Sequence, residues 1–146
     1  MNRLANTISI IYQLSVSMPR PKGKSELLTS VELEYMMVLW QIGRGTVREV
    51  LEILNRGEKR AYTSVATTLR VLNEKGYLSA EKRERTFVYA PTLSKTDYEG
   101  KTLRSLANSL FDGAPTALVA RLVEDDALSD ETIREIKEII DTRFGG

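Results

Sequence analysis

After Gly76 the apolar rhythm of the chain changes, and that change limits the available folds more than any other feature. Before it, in Tyr62–Gly76 (YTSVATTLRVLNEKG), Val65, Leu69 and Leu72 recur at helical spacing on one face. After it, Tyr77–Lys82 and Thr86–Ala90 read as two short strands. Side-chain alternation puts Phe87 and Tyr89 on one face of the second strand, Val88 and Ala90 on the other. The polar Arg83-Glu84-Arg85 between the strands is a natural hairpin tip.

Two short helices are expected before this stretch. Leu28–Ile42 opens on Thr29 and Glu32, a capping box, with Leu28 and Leu33 at the staple positions around it. Leu33, Met36, Met37 and Trp40 form its apolar face, and Gly43-Arg44-Gly45 ends it. Thr46–Asn55 repeats the device with Thr46 and Glu49, and buries Val47, Val50, Leu51 and Leu54. Gly57 is expected to stop it in a left-handed turn. Three short amphipathic helices followed by a hairpin is the order of a winged helix-turn-helix.

The outer face of the third helix carries Thr63, Ala66, Thr67 and Arg70, with no acid until Glu74. Short hydroxyls there suit a nucleic-acid groove, where they reach phosphate oxygens and base edges. An ordinary surface with weak polar choices fits the same residues. Lys82, Arg83 and Arg85 near the wing tip either reach a phosphate backbone or minor groove, or solvate the turn.

The charge distribution separates two regions. Residues 1–92 hold 14 Lys/Arg against 9 Asp/Glu; residues 93–146 hold 7 against 11. An anionic partner therefore belongs to the first part. In the second, Ser94 caps a helix to about Phe111, with Asp97 at the box position and Tyr98, Leu103, Leu106, Ala107 and Leu110 on its apolar side. Asp112-Gly113-Ala114-Pro115 is a breaker, Thr116–Glu124 a short apolar helix, and Ser129 caps a last helix striped by Ile133, Ile136, Ile139 and Ile140. So small a unit cannot bury all this apolar surface by itself. A second copy is the favoured cover, because winged helices commonly read paired half-sites as dimers.

The expected architecture is mostly α with one small β-hairpin: a leader and basic arm over 1–24, a winged helix over 25–92 and a helical dimerisation region over 93–146. Residues 1–17, with the apolar TISIIYQLSV of Thr7–Val16, are read as an upstream extension of the reading frame or a disordered leader, ahead of the basic segment that begins at Met18; an extra helix or strand is the other reading. A signal peptide fits them poorly, since no small-residue cleavage site follows cleanly. There is no Cys and no His, which removes thiol catalysis, serine triads, disulfides and Cys/His metal sites. The lack of Cys fits a reducing cytoplasm. No apolar run approaches the length of a membrane span.

LTSVELEYMMVLW, TVREVLEIL, AYTSVATTLRVLNEKGYL, FVYAP and ALVARLVEDDALSDETIREIKEIID, in that order, resemble the penicillinase-repressor (BlaI/MecI/CopY) family over roughly Leu28–Ile140. The resemblance implies a dimeric repressor whose winged helices sit on adjacent half-sites of an operator dyad. It also implies that Thr63, Ser64 and Thr67 lie at the DNA. Ala66 departs from the family, many of whose members carry Arg or Lys there; Arg70, one turn on, stands on the same face. The candidate DNA-binding set is thus Thr63, Ser64, Ala66, Thr67, Arg70, Lys82, Arg83 and Arg85. The candidate dimerisation set is Leu103, Leu106, Leu110, Leu118, Leu122, Ile133, Ile136 and Ile140.

The Cys-rich copper-responsive branch is excluded by the absence of Cys. In the β-lactam branch a membrane-bound sensor metalloprotease leads to cleavage at an Asn-Phe pair. The corresponding stretch here is Ala120-Arg121, so that cleavage rule does not carry over.

Two other classes remain for comparison. An excess of acid on the groove-facing side of Thr63–Glu74 would favour a winged helix used as a protein-interaction module, and there is none. An enzyme lacks its usual nucleophile and base sets here. Glu124-Asp125-Asp126 is read as a solvated helix end rather than a metal site, and no cofactor is called for.

Overall fold

The computed structural model describes residues 27–145. The leader and basic arm expected over 1–24 lie outside the described residues. Helix α1 (Ser30–Ile42) starts on the expected capping box. Thr29 Oγ1 accepts from the Glu32 amide at 3.2 Å, and the Glu32 carboxylate accepts from the Thr29 amide at 3.4 Å. The helix is buried more widely than a single stripe: Tyr35, Val38 and Leu39 are buried along with Leu33, Met36 and Met37. The reason is its central place, packed against the next two helices and the hairpin. Trp40 is half-buried, and its indole N–H donates to the Leu93 carbonyl at 2.9 Å.

Helix α2 (Val47–Leu54) has the second capping box, between Thr46 and Glu49. Its end differs from expectation. Gly57 is not left-handed; among the described residues the glycines of positive φ are Gly43 (φ 83), Gly76 (φ 86) and Gly113 (φ 75). Helix α2 ends instead at Asn55, whose side chain closes the following loop. Asn55 Oδ1 accepts from the Arg60 amide at 2.7 Å and Nδ2 donates to the Arg60 carbonyl at 3.4 Å. With the loop held this way, no left-handed residue is required at Gly57.

Helix α3 (Tyr62–Glu74) buries Val65, Leu69 and Leu72 completely. Strands β1 (Leu78–Arg83) and β2 (Thr86–Pro91) pair antiparallel, from Leu78 opposite Pro91 to Arg83 opposite Thr86. The tip is one residue tighter than expected. Arg83 pairs within the ladder, and only Glu84-Arg85 turn the chain, with Glu84 at φ 55. A two-residue loop with a positive φ matches the twist of the strands it joins. Gly45 extends the sheet by one bridge: it and Tyr89 exchange backbone N–H···O bonds of 2.9 Å in both directions.

The described residues divide into two compact units after Tyr98. Helix α4 (Lys95–Leu110) therefore begins in the first unit, where Ser94 Oγ accepts from the Asp97 amide at 3.0 Å. Tyr98 belongs to the first unit's core. Its hydroxyl accepts from the Leu28 amide at 3.0 Å, and its ring lies 5.6 Å from Trp40 and 6.3 Å from Tyr77.

The second unit holds the rest of α4, then α5 (Pro115–Glu124) and α6 (Asp130–Phe144). Pro115 does not break the chain there but opens α5, because the first helical position has no use for the N–H that proline lacks. Ser129 Oγ accepts from the Thr132 amide at 3.2 Å and caps α6. Leu103, Leu110, Leu122 and Ile140 are exposed; Leu118, Ile133 and Ile136 are half-buried; Leu106 is buried. The fold is thus a winged helix followed by a helical region. No helix among the described residues is long and apolar enough to cross a membrane.

Candidate nucleic-acid interface

The sequence fixes which face of α3 looks outward. With Val65, Leu69 and Leu72 turned into the core, Thr63, Ser64, Thr67 and Arg70 are exposed and Ala66 is half-buried against the core's edge. The helix has no side-chain cap at Ala61 and no acid in its first turn. Its positive end is therefore not neutralised from within, unlike those of α1 and α2, which each hold a glutamate there.

The cations around α3 divide into tied and presented ones. Arg60 pairs with Glu34 and lies 6.0 Å over the Tyr35 ring. Lys75 Nζ is held by Glu32 at 2.8 Å. Among the described residues Arg70 pairs with Glu74, at 2.7 Å, in a pair exposed on both sides. Such a pair is weak in water and exchanges readily for another anion. On the wing Lys82, Arg83 and Arg85 are all exposed, with Arg83 at 3.3 Å from Glu81.

Between α3 and the wing lies an open cleft of about 290 Å³. Ala66, Thr67 and Arg70 line one side and Arg85 the other. Four of the eight residues proposed from sequence thus meet at one place. Thr63 and Ser64 stand on the helix outside the cleft, and Lys82 and Arg83 on the wing outside it. The cleft also takes in Val47, Tyr62, Thr86, Phe87 and Tyr89, none of which was among the candidates. The available signal was the aromatic pair Phe87/Tyr89 on one strand face. Tyr89 is buried as that pattern suggests, whereas Phe87, 6.4 Å away, is exposed. Burial pushes the Tyr89 hydroxyl above its ordinary pKa of 10.0; neighbouring Tyr62 adds to the rise and Arg70 opposes it. The hydroxyl is accordingly a protonated donor at neutral pH. Among the described residues no acidic cluster is arranged to hold a metal.

The sequence profile of the penicillinase repressors matches residues 28–142. The chain belongs to the penicillinase repressor family. The penicillinase repressor of Bacillus licheniformis is 31% identical over 114 residues, 78% of this chain and 89% of that one. The methicillin resistance regulatory protein MecI of Staphylococcus aureus is 23% identical over 121 residues, 83% and 98% of the two chains. A solution structure of the DNA-binding domain of the repressor BlaI superposes with a TM-score of 0.45 at 30% identity, covering 55% of this chain and 92% of that one. The penicillinase repressor family is one of regulators rather than enzymes, in keeping with a surface built from hydroxyls, guanidiniums and rings.

Proposed function

We propose that this penicillinase repressor family member is a sequence-specific DNA-binding transcriptional repressor, acting as a homodimer on an operator dyad. The observation that carries the reading is the face of α3. It is acid-free through three turns, lined with hydroxyls, and flanked by an exposed wing with cations at its tip. Thr63, Ser64, Ala66 and Thr67 face base edges and Arg70 faces base or phosphate. Lys82, Arg83 and Arg85 meet the backbone. The exposed leucines and isoleucines of the second unit support the dimer, since apolar surface of that kind is removed from water by a matching copy. Repression is relieved by a signal, with a sensor protease as the route known in the β-lactam branch.

The test is selection of duplexes by the full chain from a random-sequence pool, followed by a gel-shift titration on one and two half-sites. Enrichment of a two-fold symmetric sequence, bound more tightly as the dyad than as the half-site, is the expected result. Failure to enrich any sequence would turn the reading toward a protein-interaction module.

A further inference from the structure

The cleft between α3 and the wing has a composition that base reading does not explain. Its helix wall presents Tyr62, Thr67 and Arg70; its wing wall presents Arg85, Thr86 and Phe87. Tyr62 and Phe87 are 48% and 47% exposed, so two rings stand half in water beside the cations and hydroxyls of Thr67, Arg70, Arg85 and Thr86. Neither ring belongs to the buried core, which includes Val65, Leu69 and Tyr89.

A DNA major groove and the minor groove beside it are separated by a single sugar–phosphate strand. If α3 occupies one groove and the wing tip reaches the other, that strand has to cross the space between them. The strand alternates an apolar, ring-shaped sugar with an anionic phosphate. The cleft holds a partner for each, two exposed rings and two guanidiniums. We propose that this cleft seats one sugar–phosphate strand, with Tyr62 and Phe87 packed on its deoxyriboses and Arg70 and Arg85 flanking its phosphates. The proposal rests on the DNA-binding reading above and adds contacts that reading lacks. It also gives Glu74 a role. Arg70 is shared between Glu74 and the incoming phosphate, so Glu74 moderates affinity.

The experiment uses the full chain and the duplex enriched from the random pool. Phe87→Ala and Tyr62→Ala are expected to weaken binding roughly 3–10-fold, the size expected for covering the exposed half of a ring. The loss is the same on enriched and random duplexes, and the salt slope does not change. Arg85→Gln makes that slope shallower by about one. A neutral methylphosphonate placed at one linkage at a time weakens wild type at a linkage where Arg85→Gln shows no further loss. Glu74→Gln tightens wild type more than it tightens Arg70→Gln. Thermal melts establish that each variant is folded, and Phe87→Leu, which keeps apolar bulk, retains part of the affinity.

The assignment is overturned if wild type binds its enriched duplex while folded Phe87→Ala and Tyr62→Ala bind as tightly. It is overturned equally if their loss appears only on the enriched sequence, which would make them base readers. Absence of any DNA binding by wild type would instead remove the functional reading itself.

Discussion

Lys75 Nζ reaches both carboxylate oxygens of Glu32, at 2.8 Å and 2.9 Å, and so joins the end of α3 to the start of α1. Glu32 is the one charged residue buried among the described residues, and it also serves the capping box. Lys75→Met leaves that carboxylate without its cation. The expected cost is about 1–2 kcal/mol, less than for a fully buried pair because Lys75 is itself half in water. Urea unfolding measures it. The loss should persist at high salt, whereas any effect of Glu74→Gln on stability should be small and screened.

Glu84 holds a left-handed conformation at the wing tip, between two arginines. Glu84→Gly removes the steric penalty and is expected to stabilise the chain by about 0.5–1 kcal/mol. It also removes the acid from the tip. Affinity for all duplexes should rise together in gel shifts, with no change in sequence preference. An unchanged melting temperature would count against the strain.

Tyr89 predicts an alkaline instability. Its pKa in the folded chain is raised above 10.0, so on going to high pH the unfolded chain loses that proton first. Folded stability from this group is complete below the ordinary value and is lost as pH climbs through the raised one. Denaturation midpoints between about pH 9 and pH 11 should fall for wild type and fall less for Tyr89→Phe.

Tyr98 sets where the winged helix can be cut. A chain ending at Pro91 lacks the ring that packs on Trp40 and Tyr77 and the hydroxyl that satisfies the Leu28 amide. Tyr98→Ala should cost about 3–5 kcal/mol. A chain ending at Lys101 should melt well above one ending at Pro91, in circular dichroism.

Leu122→Asp tests the proposed dimer. Leu122 is exposed in the single chain, so the change leaves that chain folded, yet it places an unpaired carboxylate in the proposed interface. Sedimentation should give a monomer, and tight binding to the dyad should fall toward that of one half-site. A wild-type chain that sediments as a monomer would end the dimer reading.

The helices of the winged part were legible because their signals are local. Thr29 with Glu32, and Thr46 with Glu49, each need only four residues to be recognised, and Val65, Leu69 and Leu72 need only one helix. What escaped depends on partners distant in sequence. Tyr98 reads as one more apolar residue of α4 until Leu28 and Trp40 are brought beside it. Gly57 resembles a helix stop until Asn55 is seen to close the loop. Pro115 carries the same letter whether it ends a helix or begins one. The cleft was missed for a similar reason. Alternation places Phe87 with Tyr89, but only the fold decides that one is covered and the other left facing solvent.

The bridge between Gly45 and Tyr89 makes the wing a lever clamped at its base. Beyond that clamp the two strands hold each other, and among the described residues Glu84 and Arg85 are held by their own turn. Hydrogen exchange should therefore be slowest at the amides of Gly45 and Tyr89 and quicken steadily toward the tip. In the DNA-binding mode proposed above, such a clamp would fix where the backbone grip begins and leave the far end compliant. The tip can follow a groove whose width varies from one site to the next, while α3 keeps its register.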